Sequence, residues 1–199
     1  MATDDGEFDP EFDFDDVRAS NFEQPALPKL SGAPIAHHGC CLGLSTPLLA
    51  VLHTLLSSSR SRVLSIGSGY GLLEALLLTL LPSLDLVGTE VQPSPNVYLP
   101  PDHHRTVAGT RFLDPSAKEA GAWLFVYPKR VGLVDEYIDT YGNGHVETVI
   151  WAGPKADWAD YRGCFEEQRH GIQWDVEIKS ADEIGGRAWE LIAVARKKI

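Results

Sequence analysis

Five residues, Gly67-Ser68-Gly69-Tyr70-Gly71, stand between a strand-like run over 62–66 and a leucine-rich run that begins at Leu72. A strand that ends in such a loop and re-enters a helix turns free backbone N–H groups toward an anionic ligand group. Gly67 lets the chain turn tightly, and Gly69 removes the side chain that would hold a ligand off the backbone. Glu90 follows Gly67 by 23 residues, at the end of the next apolar run. A carboxylate there can accept hydrogen bonds from both hydroxyls of a ribose. The pattern is that of a nucleoside site. Leu72 stands where a dinucleotide fingerprint needs a small residue, and no Gly-Lys-Ser/Thr ending makes a triphosphate loop.

These residues need a parallel sheet to position them, and the remaining periodicity supplies one. Ser45 reads as an N-cap, with Pro47 in the first turn and Leu48, Leu49, Val51, Leu52, Leu55 and Leu56 at helical spacing. A strand over 62–66, a helix over 72–81, and strands over 85–91 and 105–108 follow. A short helix from Ser116, a strand over 122–127, a helix over 131–141 and a strand over 146–151 continue the alternation. The spacing then predicts a helix over 157–168 opened by an Asp157 cap, and strands over 173–179 and 188–196. The connection between that last pair is too short for a crossover helix, so the two should run antiparallel. The expected fold is α/β: a doubly wound, mostly parallel seven-stranded sheet with a C-terminal antiparallel hairpin.

The run Val63-Leu64-Ser65-Ile66-Gly67-Ser68-Gly69-Tyr70-Gly71, with Glu90, resembles the first motif and following acid of the class I (Rossmann-like) S-adenosylmethionine-dependent methyltransferase superfamily. In element order the resemblance spans residues 42–199. It implies S-adenosyl-L-methionine as cofactor, held by Ser65, Gly67, Ser68, Gly69, Gly71 and Glu90. Ser65 departs from the family pattern, which has an acid at that position to hold the cofactor's amino-acid portion. The resemblance also places the end of the fourth strand, Tyr127-Pro128-Lys129-Arg130, beneath the transferable methyl group. Tyr127 can orient an acceptor or cap the core. Lys129 and Arg130 can bind an anionic substrate or be solvated. Trp151, ending the fifth strand, can stack on substrate or pack inside. No Asp/Asn-Pro-Pro-Tyr motif points to a nucleobase or amide acceptor. In-line methyl transfer to a small molecule is the implied activity, and a methyltransferase-like binding or partner protein without catalysis is the alternative.

His37-His38-Gly39-Cys40-Cys41 holds four potential metal ligands, but zinc sites space paired ligands two to four residues apart and need a second pair. No metal site is expected. Instead the 31–43 segment can fold over the cofactor cleft as a lid, with His37 or His38 as general base near neutral pH.

Of the formal charge of −11, residues 1–30 carry −7, from nine acids against two bases, so the rest is nearly balanced at −4. Residues 1–30 read as an acidic extended or disordered arm, and 31–199 as the domain. The aromatics of the arm, Phe8, Phe12, Phe14 and Phe22, leave open docking on the domain or contact with a protein partner. Without a basic stripe a nucleic-acid substrate is disfavoured. The greasiest stretch, 72–81, contains Glu74 and Thr79 and stops at Pro82, so no membrane span is expected. The first residues lack the order of a signal peptide. With three cysteines that form no even framework, the chain reads as cytoplasmic.

Overall fold

The computed structural model describes residues 22–57, 61–166 and 171–198. Residues 22–30 run along the domain without regular structure. The Gln24 side-chain amide donates to the Tyr98 carbonyl at 3.0 Å, and Leu27 and Leu30 pack on the core. Phe22 is exposed, while Phe8, Phe12 and Phe14 lie outside the described residues.

Among the described residues the first regular element is absent from the sequence reading: β1 (Ile35–His37) and β2 (Cys40–Leu44) form an antiparallel hairpin. It turns at Gly39, whose φ of 93° suits a residue without a Cβ. Strands this short, rich in His, Cys and Gly, carry no alternation to recognise. α1 (Thr46–Ser57) follows, and the Ser45 Oγ accepts the Leu48 N–H at 3.1 Å, as an N-cap should.

The main sheet is built from β3 (Val63–Ile66), β4 (Leu86–Val91), β5 (His104–Val107), β6 (Ala122–Val126), β7 (Thr148–Pro154), β8 (Trp174–Ser180) and β9 (Glu190–Lys197). Its seven strands lie in the order β5-β4-β3-β6-β7-β9-β8. The pairs β3–β4, β4–β5, β3–β6 and β6–β7 are parallel, whereas β9 runs antiparallel to both β7 and β8. The chain winds outward from β3 to β5, then restarts on the other side with β6. The strand order therefore reverses between β3 and β6, where ligands of open α/β sheets bind.

Period-two alternation divides the core. Trp123, Phe125, Val149, Trp151 and Ala193 pack on one face, and their neighbours Leu124, Ile150, Ala152 and Ile192 on the other. On β3, Leu64 and Ile66 belong to the first face and Val63 to the second. Ser65 therefore points with Val63 toward α2 (Leu72–Leu80), which covers that second face and is buried from Leu72 through Leu77.

α3 (Gly132–Tyr141) matches its expected span closely, and the helix from Ser116 is a single 3₁₀ turn over Pro115–Lys118. The helix expected over 157–168 is instead two short pieces, α4 (Trp158–Tyr161) and α5 (Gly163–Glu166), and Gln168 lies outside the described residues. Asp157 makes no side-chain cap bond, because its own backbone is already helical. Between β8 and β9 the chain fits α6 (Ala181–Ile184), opened by a Ser180–Glu183 capping box and closed by Gly185 at φ 65°. A Cβ on Gly185 would lie 2.5 Å from the Pro47 Cβ, so only glycine fits against α1 there.

Candidate cofactor site

At the carboxyl end of β3 the chain enters three left-handed glycines, Gly67 (φ 78°), Gly69 (φ 56°) and Gly71 (φ 80°). The Gly67 and Ser68 N–H groups both donate to the Thr89 carbonyl of β4, at 2.9 and 3.1 Å, which pins the loop to the neighbouring strand. A Cβ added at Gly67 or Gly69 meets no heavy atom within 4 Å, so both α-carbons face open space. At Gly71 the added carbon would strike Asn96 Oδ1 at 2.6 Å and Leu99 Cγ at 2.8 Å. The Tyr70 carbonyl accepts from the Val97 and Tyr98 N–H groups, at 3.2 and 3.1 Å, fastening the proline-rich loop after β4 alongside.

Glu90 reaches this loop. Its Oε2 accepts the Gly69 N–H and its Oε1 the Val91 N–H, each at 2.8 Å. The acid and the glycine turn, separated by 23 residues in the chain, thus meet at the switch point of the sheet. Two hydroxyls beside them, Ser68 Oγ and Thr89 Oγ1, are buried and have no hydrogen-bond partner.

Behind the loop lies a residue whose role the sequence reading missed. Ser65 Oγ donates to Glu74 Oε1 at 2.6 Å. Glu74 is the third residue of α2 and only 2% exposed. Burial pushes its carboxyl up to about 7, and the Ser65 hydrogen bond pulls the other way. The signal was a lone acid inside a leucine run, which from sequence served only to argue against a membrane span.

The β1–β2 hairpin closes over this place. His38 packs edge-on against the Tyr70 ring, with centroids 5.0 Å apart, and the Gly39 α-carbon has only 3.0 Å between an added Cβ and the Tyr70 Cβ. Between hairpin and loop a cavity of about 60 Å³ is left, lined by Cys40, Cys41, Gly67, Ser68, Leu73 and Glu74 among others. His38 is thus brought to the glycine loop, and His37 lies on the same hairpin. The His37 Nε2 is buried and unpartnered, while His38 is largely exposed. Burial first, and the Glu74 charge second, push the Cys40 thiol up to about 12, so it is not a thiolate near neutrality. His103 donates through Nδ1 to the Leu86 carbonyl at 2.6 Å, and His104 Nε2 pairs with Ser94 Oγ at 3.0 Å. Among the described residues no three His, Cys, Asp or Glu side chains form a metal-ligand group.

Tyr127, just past β6, holds a left-handed φ of 47°, uncommon outside glycine and strained for a bulky residue. Its N–H donates to the Ala152 carbonyl at 2.8 Å, and its hydroxyl donates to Glu190 Oε1 at 2.9 Å. Burial, and then the Glu190 carboxylate, raise the phenol well above its usual value, so it stays protonated. Glu190 is itself fully buried. It also accepts the Gly43 N–H of the hairpin at 3.0 Å and the Arg187 N–H at 2.8 Å. One carboxylate therefore ties together the hairpin, the end of β6 and the start of β9.

Trp151 corrects an expectation. It is 1% exposed, with its ring 5.3 Å from Trp158 and 5.2 Å from Tyr161. An inward-pointing position on β7 assigns it to packing, not to substrate contact. Arg130 forks onto Glu136 through two hydrogen bonds, one of 2.8 Å, which neutralises it on the first turns of α3. Lys129 is exposed.

The sequence matches no protein-family model and no curated protein. Solved structures do match. A precorrin-6y C5,15-methyltransferase from Geobacter metallireducens is 14% identical with a TM-score of 0.52, over 75% of this chain and 86% of that one. The plantazolicin methyltransferase BpumL, solved with a desmethyl plantazolicin analogue and SAH, is 11% identical with a TM-score of 0.51, over 76% and 82%. The S-adenosylmethionine-dependent methyltransferase SibL, in its apo form, is 17% identical with a TM-score of 0.50, over 76% and 55%. The shared feature is the fold: this chain has the Rossmann-like fold of the class I S-adenosylmethionine-dependent methyltransferases. Among the described residues no helix is long and apolar enough to cross a membrane.

Proposed function

We propose that this chain is an S-adenosylmethionine-dependent methyltransferase acting on a small molecule. The observation that carries the reading is the Gly69 N–H to Glu90 contact at the switch point, which unites the glycine loop and the acid in one place. The residues fit the cofactor: two glycines face open space, and two buried hydroxyls beside them lack partners. Gly67, Ser68, Gly69 and Gly71 would cradle it, Glu90 would turn from the loop amide to its ribose, and Ser65 would act with Glu74 at its amino-acid end. When bound, the cofactor supplies a methyl group open to in-line displacement, for which alignment alone gives effective molarities of about 10⁵ M or more.

The protein's own groups would then bind and orient the acceptor. Tyr127 presents a fixed ring at the end of β6, held by Glu190. His37, whose Nε2 is buried and unpartnered, would take a proton from the acceptor, and the exposed Lys129 would meet an anionic substrate. A cavity of about 60 Å³ falls short of the roughly 300–1,000 Å³ of ligand pockets. The cavity would therefore take only one end of the ligand, with the rest over the open face of Gly67 and Gly69 and the hairpin acting as a lid beside it. Two of the neighbours are named for precorrin and plantazolicin, which supports a small-molecule acceptor.

A methyltransferase-like binding protein without catalysis is the second reading, favoured by the internal bonds that engage the Glu90 carboxylate and the Tyr127 hydroxyl. Calorimetry with S-adenosylmethionine and S-adenosylhomocysteine tests the first. Micromolar to submillimolar binding is expected. No binding at millimolar ligand by folded protein refutes it. Binding without turnover across a panel of small nucleophiles would favour the second.

A further inference from the structure

A carboxyl group as buried as that of Glu74 needs either a counter-charge or a set of hydrogen-bond donors. Among the described residues it receives a side-chain hydrogen bond from Ser65 and one from its own backbone N–H, and no lysine or arginine shapes its environment. The charged and titratable groups facing it are instead acidic or neutral. Cys40 and Cys41 come from β2 and Glu90 from β4, while Glu190 of β9 acts on Cys40 from beyond it. In place of a cation there is the 60 Å³ cavity, which Glu74 lines together with Ser68 and the hairpin cysteines. That space admits a small polar head group and no ring system. A compact organic cation such as an ammonium suits a space of that size with one buried carboxyl in its wall.

We propose that Glu74, positioned by Ser65, is the counter-ion for a primary ammonium group that enters the cavity beneath the hairpin. This rests on the cofactor reading, in which the ammonium belongs to the amino-acid end of the ligand and the nucleoside lies at Glu90. The acid that a strand position would supply has moved onto the facing helix, one residue pair away in space and nine in sequence. The ammonium stabilises the ionised form of Glu74. Because the free group titrates at about 7, binding expels its proton, about half a proton at pH 7 and nearly one at pH 6. Affinity should fall about tenfold per unit of pH below 7 and level off above it.

The test compares two probes on the full chain by calorimetry: S-adenosylhomocysteine, which carries the ammonium, and 5′-methylthioadenosine, which keeps the nucleoside and lacks it. Glu74→Gln is expected to weaken S-adenosylhomocysteine binding tenfold or more and to leave methylthioadenosine unchanged. Wild-type titrations in buffers of different ionisation enthalpy should show proton release with the first probe and none with the second. If both nucleosides bind wild-type protein equally, or Glu74→Gln keeps full affinity for S-adenosylhomocysteine, the assignment is overturned and the cofactor reading survives. If neither binds folded wild-type protein, both fall. Should Glu74→Gln not fold, proton release by the wild type decides: its absence overturns the assignment.

Discussion

Glu190→Gln should be among the more damaging isosteric changes in this chain. The carboxylate is completely buried and accepts three hydrogen bonds, two on Oε1 from Gly43 N–H and Tyr127 O–H and one on Oε2 from Arg187 N–H. Glutamine keeps one oxygen. Placed toward Gly43 and Tyr127, it leaves its NH₂ facing the Arg187 N–H, donor against donor; flipped, it strands two donors instead. The milder orientation loses one charge-assisted bond and leaves a buried donor unpaired, about 2–4 kcal/mol together. For a chain of this length that is a fall in melting temperature of about 4–16 °C. Urea unfolding followed by tryptophan fluorescence and far-UV circular dichroism measures it. Tyr127→Phe alone should cost about 1–3 kcal/mol, and the double variant less than the sum, since both changes act on one network. A cost for Glu190→Gln below about 0.5 kcal/mol, or strict additivity with Tyr127→Phe, would refute the claim that this carboxylate holds hairpin, β6 and β9 together.

Glu90→Ala should weaken S-adenosylhomocysteine binding by about 1–3 kcal/mol, because buried ribose hydroxyls lose their acceptor; unchanged affinity in calorimetry removes Glu90 from the site. Glu74 should make the fold less stable as pH rises. Its folded carboxyl titrates at about 7 against an ordinary value of 4.5, so between those values the unfolded chain ionises first and gains the advantage, by about 3 kcal/mol in all. Denaturation of wild type and Glu74→Gln at pH 5 and pH 8 checks the sign: the variant should gain on the wild type at the higher pH, and a parallel response would show that Glu74 is not buried as an acid. Deleting residues 2–21 should leave the melting temperature within a few degrees, because an acidic aperiodic segment has little apolar surface to bury. Carrying the deletion through Leu30 should lower it clearly, since Leu27 and Leu30 pack on the core.

Local chemistry made much of this protein legible from its residue order. The run over 62–66, the three glycines and Glu90 specify a strand, a turn and a partner acid within one winding of the sheet, where chain connectivity leaves little choice of neighbour. The N-cap at Ser45 and the antiparallel final pair were legible for the same reason, because each depends on residues close in sequence. Trp151 was ambiguous, since an aromatic ending a strand suits a cleft or a core equally, and only the packing of Trp158 and Tyr161 against it decided. The hairpin over the loop, with its weak strand signal, owes its place to contacts with Tyr70 and Glu190. Glu190 itself joins Gly43 across 147 residues and Tyr127 across 63. Glu74 in a leucine run reads as a solvated interruption until α2 is laid on the face of β3 that carries Ser65. Periodicity marks which residues are apolar, but the cost of burying a charge depends on what the fold brings within hydrogen-bonding distance of it. For that reason the glycine loop could be found in the sequence, while the two buried carboxyls behind it were decided only by the tertiary structure.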